Sequence, residues 1–115
     1  MKNQLRFLFQ KILGYRTYLF IFALYNIRRM KWGGGHEKEF IYFLDMLPAG
    51  PGILLDIGAN IGVMSAAMAG RRPDTRVYAF EPIPDNQAAI ERVIKFLGIK
   101  NIDLFKTALG EENGE

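Results

Sequence analysis

The stretch ILLDIGANIG, residues 53–62, decides the fold. Ile53 to Ile57 is a short apolar run broken only by Asp56, the pattern of a strand buried in a parallel sheet. Gly58 and Gly62 then bracket Ala59, Asn60 and Ile61. Without Cβ atoms the two glycines let the backbone turn sharply and let another molecule approach it closely. Beyond the turn, Ile61, Met64, Ser65 and Met68 recur at helical spacing. Ala66, Ala67 and Ala69 pad that helix so that it can lie close on its strand. Strand, glycine turn and helix are the opening of a βαβ unit.

The pattern continues on both sides. Upstream, Phe40, Phe43, Leu44 and Leu47 fall at i, i+3, i+4 and i+7 and predict an amphipathic helix, which PAGPG at 48–52 stops. Downstream, Val77 to Phe80 predicts a second strand. PDNQAAIERVIKFLG, 84–98, predicts a helix with Pro84 in its first turn, a stripe of Ile90, Val93, Ile94 and Leu97, and Gly98 at its end. NIDLFKT, 101–107, predicts a third strand in which Ile102, Leu104 and Lys106 alternate. The fold class is therefore α/β and Rossmann-like: about three parallel strands with flanking helices, joined by right-handed crossovers.

Residues 1–35 differ in character. KWGGGHEK, 31–38, is a flexible joint dividing a basic, apolar helical segment, 1–35, from the sheet domain, 36–115. Residues 1–36 hold seven basic side chains and no acid, so the net charge of +3 leaves −4 for the remainder. A high pI alone would suggest nucleic acid. These charges instead flank TYLFIFALYNI, 17–27, which points away from it. As a helix that run is about 16 Å long, too short for a hydrocarbon core of about 30 Å. A signal peptide fits poorly, because YNIRRMKW follows where a small-residue cleavage site belongs. Two placements remain: packing on the domain or a partner chain, or peripheral contact of residues 1–32 with an anionic membrane surface.

Half of the 115 residues are apolar, enough for a packed core. The absence of cysteine removes disulfides, thiolate metal sites and thiol nucleophiles, and is compatible with a cytoplasmic setting. His36, the single histidine, follows three glycines and has the surroundings of a solvated loop residue rather than a catalytic base or metal ligand.

In an open α/β sheet, ligands bind outside the carboxyl ends of the strands. The segment from Asp56 to Gly62 lies there, ahead of a helix whose first amides favour a carboxylate or phosphate. Asn60 is placed either to cap that helix or to touch the ligand. A G-x-G-x-x-G fingerprint would need glycine at 60 and 63, where the chain has Asn60 and Val63. A Walker loop would need glycine and lysine at 63 and 64, where Val63 and Met64 stand. A pyrophosphate ligand, and with it a nicotinamide oxidoreductase, is disfavoured. Glu81 ends the second strand, 25 residues after Asp56, where a carboxylate can accept hydrogen bonds from vicinal ribose hydroxyls. Pro82 and Ile83 form an apolar ledge for a base. A nucleoside without pyrophosphate, carrying a zwitterionic tail, describes S-adenosylmethionine.

LLDIGANIG, VYAFEPIPDN and NIDLFKTALG resemble, in order and spacing, the motifs of the FkbM family of S-adenosylmethionine-dependent methyltransferases, over residues 46–114. The resemblance implies the class I methyltransferase fold and methyl transfer to a hydroxyl of a small-molecule or glycan acceptor. Carried over by position, it implies that Asp56, Gly58, Ala59, Asn60 and Gly62 line the methionine and ribose portion of the cofactor. It places Glu81 on the ribose hydroxyls, Pro82 and Ile83 beside the adenine, and Ala108 at the adenine edge. The family's further strands, which hold the acceptor site and any general base, have no counterpart here, so catalytic residues are unassigned. The chain is accordingly expected to be a cofactor half that is marginally stable or associating when alone, and inert in methyl transfer. Competing expectations are a non-catalytic nucleoside-binding fragment and a membrane-surface interaction protein.

Overall fold

The change of period at Ile53 marks where the sheet begins. The computed structural model describes residues 2–31 and 38–108; most of the joint predicted at 31–38, including His36, lies outside the described residues. Along the chain come α1 (Lys2–Leu13), α2 (Tyr15–Lys31), α3 (Lys38–Met46), β1 (Ile53–Ile57), α4 (Val63–Arg71), β2 (Arg76–Phe80), α5 (Pro84–Leu97) and β3 (Ile102–Phe105). Pro84 opens α5, and Gly98 closes it in the left-handed conformation. The Ile99 amide donates back to the Ile94 carbonyl at 3.0 Å, a Schellman-type ending. β3 is shorter than the alternating run suggested: Lys106 and Thr107 lie beyond it.

The strands pair in parallel, in the order β1-β2-β3, with Leu54 opposite Val77 and Val77 opposite Ile102. Both crossovers step the same way across the sheet, so right-handed connections put α4 and α5 on the same face. That face is the core. Val77 packs with Leu44 of α3 and with Met68 and Ala69 of α4, while Ala79 packs with Ala59 and Ile90 of α5. The opposite face is apolar and open among the described residues. Ile53, Leu55 and Ile57 are 58, 53 and 60 % exposed, and Phe80 stacks on Phe105 beside them at 4.9 Å. A strand buried on both faces was the expectation for β1, and here only one face is covered.

Two polar side chains, Arg72 buried and Asn101 half-buried, join the elements. Arg72, just past α4, donates to the carbonyls of Leu44 (3.2 Å), Leu47 (2.9 Å) and Pro48, satisfying the C-terminal end of α3. The Asn101 amide donates to the carbonyls of Ala69, Arg72 and Thr75, fastening the start of β3 to the connection between α4 and β2.

Of the two N-terminal placements, packing on the domain is observed for α2. Ala23 is fully buried against Ala66 of α4 and Val93 of α5. Phe20 meets Phe96 edge-on at 5.6 Å, and the Arg92 guanidinium lies 4.3 Å over the Phe20 ring. Arg92 also donates to Thr17 Oγ1, and Arg16 pairs with Asp85 at 2.8 Å. The apolar contacts dominate. Burying a leucine or methionine is worth roughly 1.5–3 kcal/mol, and Leu19 and Met30 are both buried. An exposed ion pair such as Arg16–Asp85 contributes under about 1 kcal/mol. Gly14, at φ 80°, separates α2 from α1. No helix among the described residues is long and apolar enough to cross a membrane.

Candidate functional site

The turn after β1 is fastened to the end of β2. The amides of Gly58 and Ala59 both donate to the Phe80 carbonyl, at 2.9 and 3.0 Å. The Asn60 amide donates to Glu81 Oε1 at 2.7 Å, and the Gly62 amide closes the turn on the Ala59 carbonyl at 2.9 Å. Gly58, Asn60 and Gly62 sit at φ 73°, 55° and 91°. Glycine takes this region freely, and asparagine is among the few side chains that tolerate it. At Gly62 there is a second reason for glycine, because a Cβ there would stand 3.2 Å from Ile90 Cγ1.

This geometry corrects one expectation. Asn60 does not cap α4; the capping position is Gly62, which makes no side-chain cap. Asn60 lies two residues earlier, its amide committed to Glu81 and its side chain exposed at the mouth of the turn.

Glu81 is 2 % exposed, one residue past β2. A buried carboxylate is costly unless hydrogen bonds replace its water. Here the Asn60 amide serves Oε1, while the Ile83 amide (3.0 Å) and Asn86 Nδ2 (3.3 Å) serve Oε2. Gln87 Nε2 donates to the Glu81 carbonyl at 2.9 Å. A carboxylate offers about four acceptor positions. Oε2 has both of its positions used by these donors, and Oε1 keeps one.

Asp56 faces the helix side of β1, half-buried, and accepts a hydrogen bond from Ser65 Oγ at 2.5 Å. Burial raises its pKa above the usual carboxylate value; the Ser65 hydrogen bond works against that, and the charge of nearby Glu81 adds to it. An acid with a raised folded pKa contributes stability that is fully present below the unfolded value and lost as pH rises through the folded value. Asp56→Asn escapes that loss and retains an acceptor for Ser65. Its melting temperature is expected to equal or exceed the native one at pH 7. The advantage should vanish as pH falls below the ordinary aspartate value, which thermal melts across pH would read directly.

The remaining site residues named from sequence divide three ways. Ala59 is buried against Ala79 and Ile90, so its side chain packs the turn onto the sheet. Pro82 and Ile83 are exposed, and Ile83 is the capping residue of α5. Ala108 is half-buried three residues past β3, and no hydrogen bond among the described residues ties it to the turn. Ser65 was read from sequence only as part of the helical stripe of α4, and Asn86 and Gln87 were not singled out. The signal for the last two was present, since two amides directly follow EPIPD in the first turn of a helix.

Two solved structures share this arrangement of sheet and helices. An rRNA methylase from Streptococcus thermophilus superposes with a TM-score of 0.55 at 22 % identity, over 64 % of this chain and 41 % of its own. A precorrin-6y C5,15-methyltransferase from Geobacter metallireducens gives 0.54 at 23 % identity, over 65 % and 39 %. The fold is that of the class I methyltransferases. By sequence, the chain is 34 % identical over 64 residues to the release factor glutamine methyltransferase of Escherichia coli (strain K12), covering 56 % of this chain and 23 % of that protein. It is 38 % identical over 66 residues to the AMB antimetabolite synthetase AmbE of Pseudomonas aeruginosa, covering 3 % of that protein. No family model matches the chain. It spans about a quarter of the curated methyltransferase it matches. In this fold, the turn after β1 and the carboxylate after β2 lie side by side at the carboxyl edge of the sheet, joined by the Asn60–Glu81 hydrogen bond.

Proposed function

We propose that the chain is the cofactor-binding part of an S-adenosylmethionine-dependent methyltransferase. The observation that carries this reading is the Asn60–Glu81 hydrogen bond, which joins the glycine turn to a buried carboxylate at adjacent strand ends. The residues suit that cofactor chemically. Asp56 and Glu81 bring two carboxylates close enough for the charge of one to raise the pKa of the other. Such a site repels a pyrophosphate and favours a ligand with an ammonium and a sulfonium. Gly58 leaves open space where a Cβ would stand, so a ligand can lie against the backbone there.

In this proposal Glu81 takes one ribose hydroxyl on the free position of Oε1, and the second displaces Asn86, whose hydrogen bond is the longest of the three. Asp56, Gly58, Asn60 and Gly62 border the methionine and ribose portion, with the methionine carboxylate toward the first amides of α4. Pro82 and Ile83 flank the adenine, and Ala108 approaches its edge. Bound there, the cofactor supplies an electrophilic methyl group, and the protein's task is to hold it in line with the acceptor.

Within that class we favour methyl transfer to a hydroxyl of a sugar or other small metabolite. Support for the finer reading is the pair of FkbM-like motifs, D-x-G-A-N-x-G and E-P-x-P, at Asp56 and Glu81. Amide NMR during titration with S-adenosylhomocysteine tests the cofactor reading, with NAD as the control. Shifts at Gly58, Gly62 and Glu81 for the first ligand alone are expected. A dispersed spectrum indifferent to it would discard the proposal.

A further inference from the structure

α2 has two apolar faces, and the domain uses one. Leu19, Ala23 and Met30 are buried, whereas Ile21, Phe22 and Tyr25 face outward, Tyr25 being 59 % exposed. Tyr18 stacks on Phe22 at 5.8 Å along this outer face. With Leu13 of α1, these four residues line an open apolar cleft of about 270 Å³. The surface continues onto α1, where Leu5, Leu8 and Ile12 fall at i, i+3 and i+7, Ile12 being 68 % exposed.

The charges around it have one sign. Arg6 and Lys11 are exposed on α1, and Arg28 and Arg29 are exposed one turn beyond Tyr25. No acidic residue occurs anywhere in residues 1–36. A nucleic acid would be met by the basic groups but not by the aliphatic ones, and a second protein surface sets no requirement that acids be absent. An anionic bilayer asks for both features: apolar and tyrosine side chains at the acyl boundary, and basic groups among the headgroups. Since no described helix can span, the fitting arrangement is one lying on the surface.

We propose that the outer face of α1 and α2 docks the protein on an anionic lipid surface, with the cleft of Leu13, Tyr18, Ile21, Phe22 and Tyr25 receiving the apolar boundary. The residues involved are distinct from those of the glycine turn, so the proposal stands independently of the cofactor reading.

The test is co-sedimentation of the full chain with vesicles of phosphatidylcholine alone, or containing about 30 % phosphatidylglycerol. At low salt the anionic vesicles are expected to bind at least about tenfold more strongly, a preference largely lost at about 0.5 M salt. The surface variants Ile21→Asp/Tyr25→Asp and Arg6→Glu/Lys11→Glu should each lower binding about tenfold or more, with circular dichroism and S-adenosylhomocysteine response unchanged. Equal binding to both vesicle types, absence of binding to either, or variants that bind like the native chain would overturn the proposal. Sedimentation equilibrium showing a dimer that the same substitutions make monomeric would overturn it too, by making a second copy the occupant.

Discussion

Glu81→Gln is expected to weaken S-adenosylhomocysteine binding about a hundredfold, a change of about 2.7 kcal/mol. The substitution preserves shape and removes charge, so what it changes is acceptor capacity. Three donors converge on the native carboxylate: the amides of Asn60 and Ile83 and the side chain of Asn86. A glutamine places its NH2 group at one of the two oxygen positions, where donor meets donor. If the amide nitrogen replaces Oε2, Ile83 and Asn86 lose their acceptor; if it replaces Oε1, Asn60 does. Each unsatisfied buried group costs about 1–3 kcal/mol. In the second case the turn would keep only the Gly58 and Ala59 amides on the Phe80 carbonyl as its hold on the end of β2, and in either case the proposed ribose acceptor would lose its charge. Calorimetric titration on the folded variant measures the affinity, and urea denaturation measures the accompanying loss of stability. A variant that is destabilised yet binds normally would make Glu81 a purely structural clamp. Unchanged stability with lost affinity would instead mean that the three donors are readily satisfied elsewhere.

The parts of this site that were legible in the sequence are those with a local cause. The change from strand to helical period between Ile57 and Ile61, the glycines of the turn, Pro84 opening α5 and Gly98 closing it all act within a few residues of where they stand. What escaped depends on partners far along the chain. Capping was one of the two roles open to Asn60, because asparagine is favoured at that position before a helix. Its amide is instead held by a carboxylate 21 positions later, and that contact fits the left-handed conformation that moves the capping position to Gly62. Ser65 reads as one polar residue on an alanine-rich face, and only the packed fold brings it to Asp56. Arg72 carries no sequence signal of its role; it is buried beneath the end of α3, where carbonyls lack intrahelical donors. The second face of α2 was hidden in a run apolar on all sides, whose inner and outer halves are separated only by what they pack against.

Gly62→Ala should be the most damaging single-methyl change in the turn, and Gly58→Ala its control. Both glycines have positive φ, 73° at Gly58 and 91° at Gly62, and a Cβ in that region costs about 1–2 kcal/mol. Their surroundings differ. A Cβ at Gly58 meets nothing within 4 Å, whereas one at Gly62 stands 3.2 Å from Ile90 Cγ1 and 3.7 Å from the Ile90 Cα. Ile90 is 1 % exposed and packs with Ala59 and Ala79, so it has little room to retreat. Overpacking of this kind adds about 1–3 kcal/mol. Urea denaturation should therefore show a loss of about 1–2 kcal/mol for Gly58→Ala and about 2–5 kcal/mol for Gly62→Ala. The source of the difference can be isolated by a double-mutant cycle with Ile90→Val. That change keeps Cγ1 as a methyl but removes the carbon beyond it, giving the side chain freedom to turn away. If the Ile90 contact is what distinguishes the two glycines, Gly62→Ala should cost less in the Ile90→Val background than in the native one. Equal costs in both backgrounds would assign the damage to φ alone, and the close approach of α5 to the turn would then carry no energetic weight.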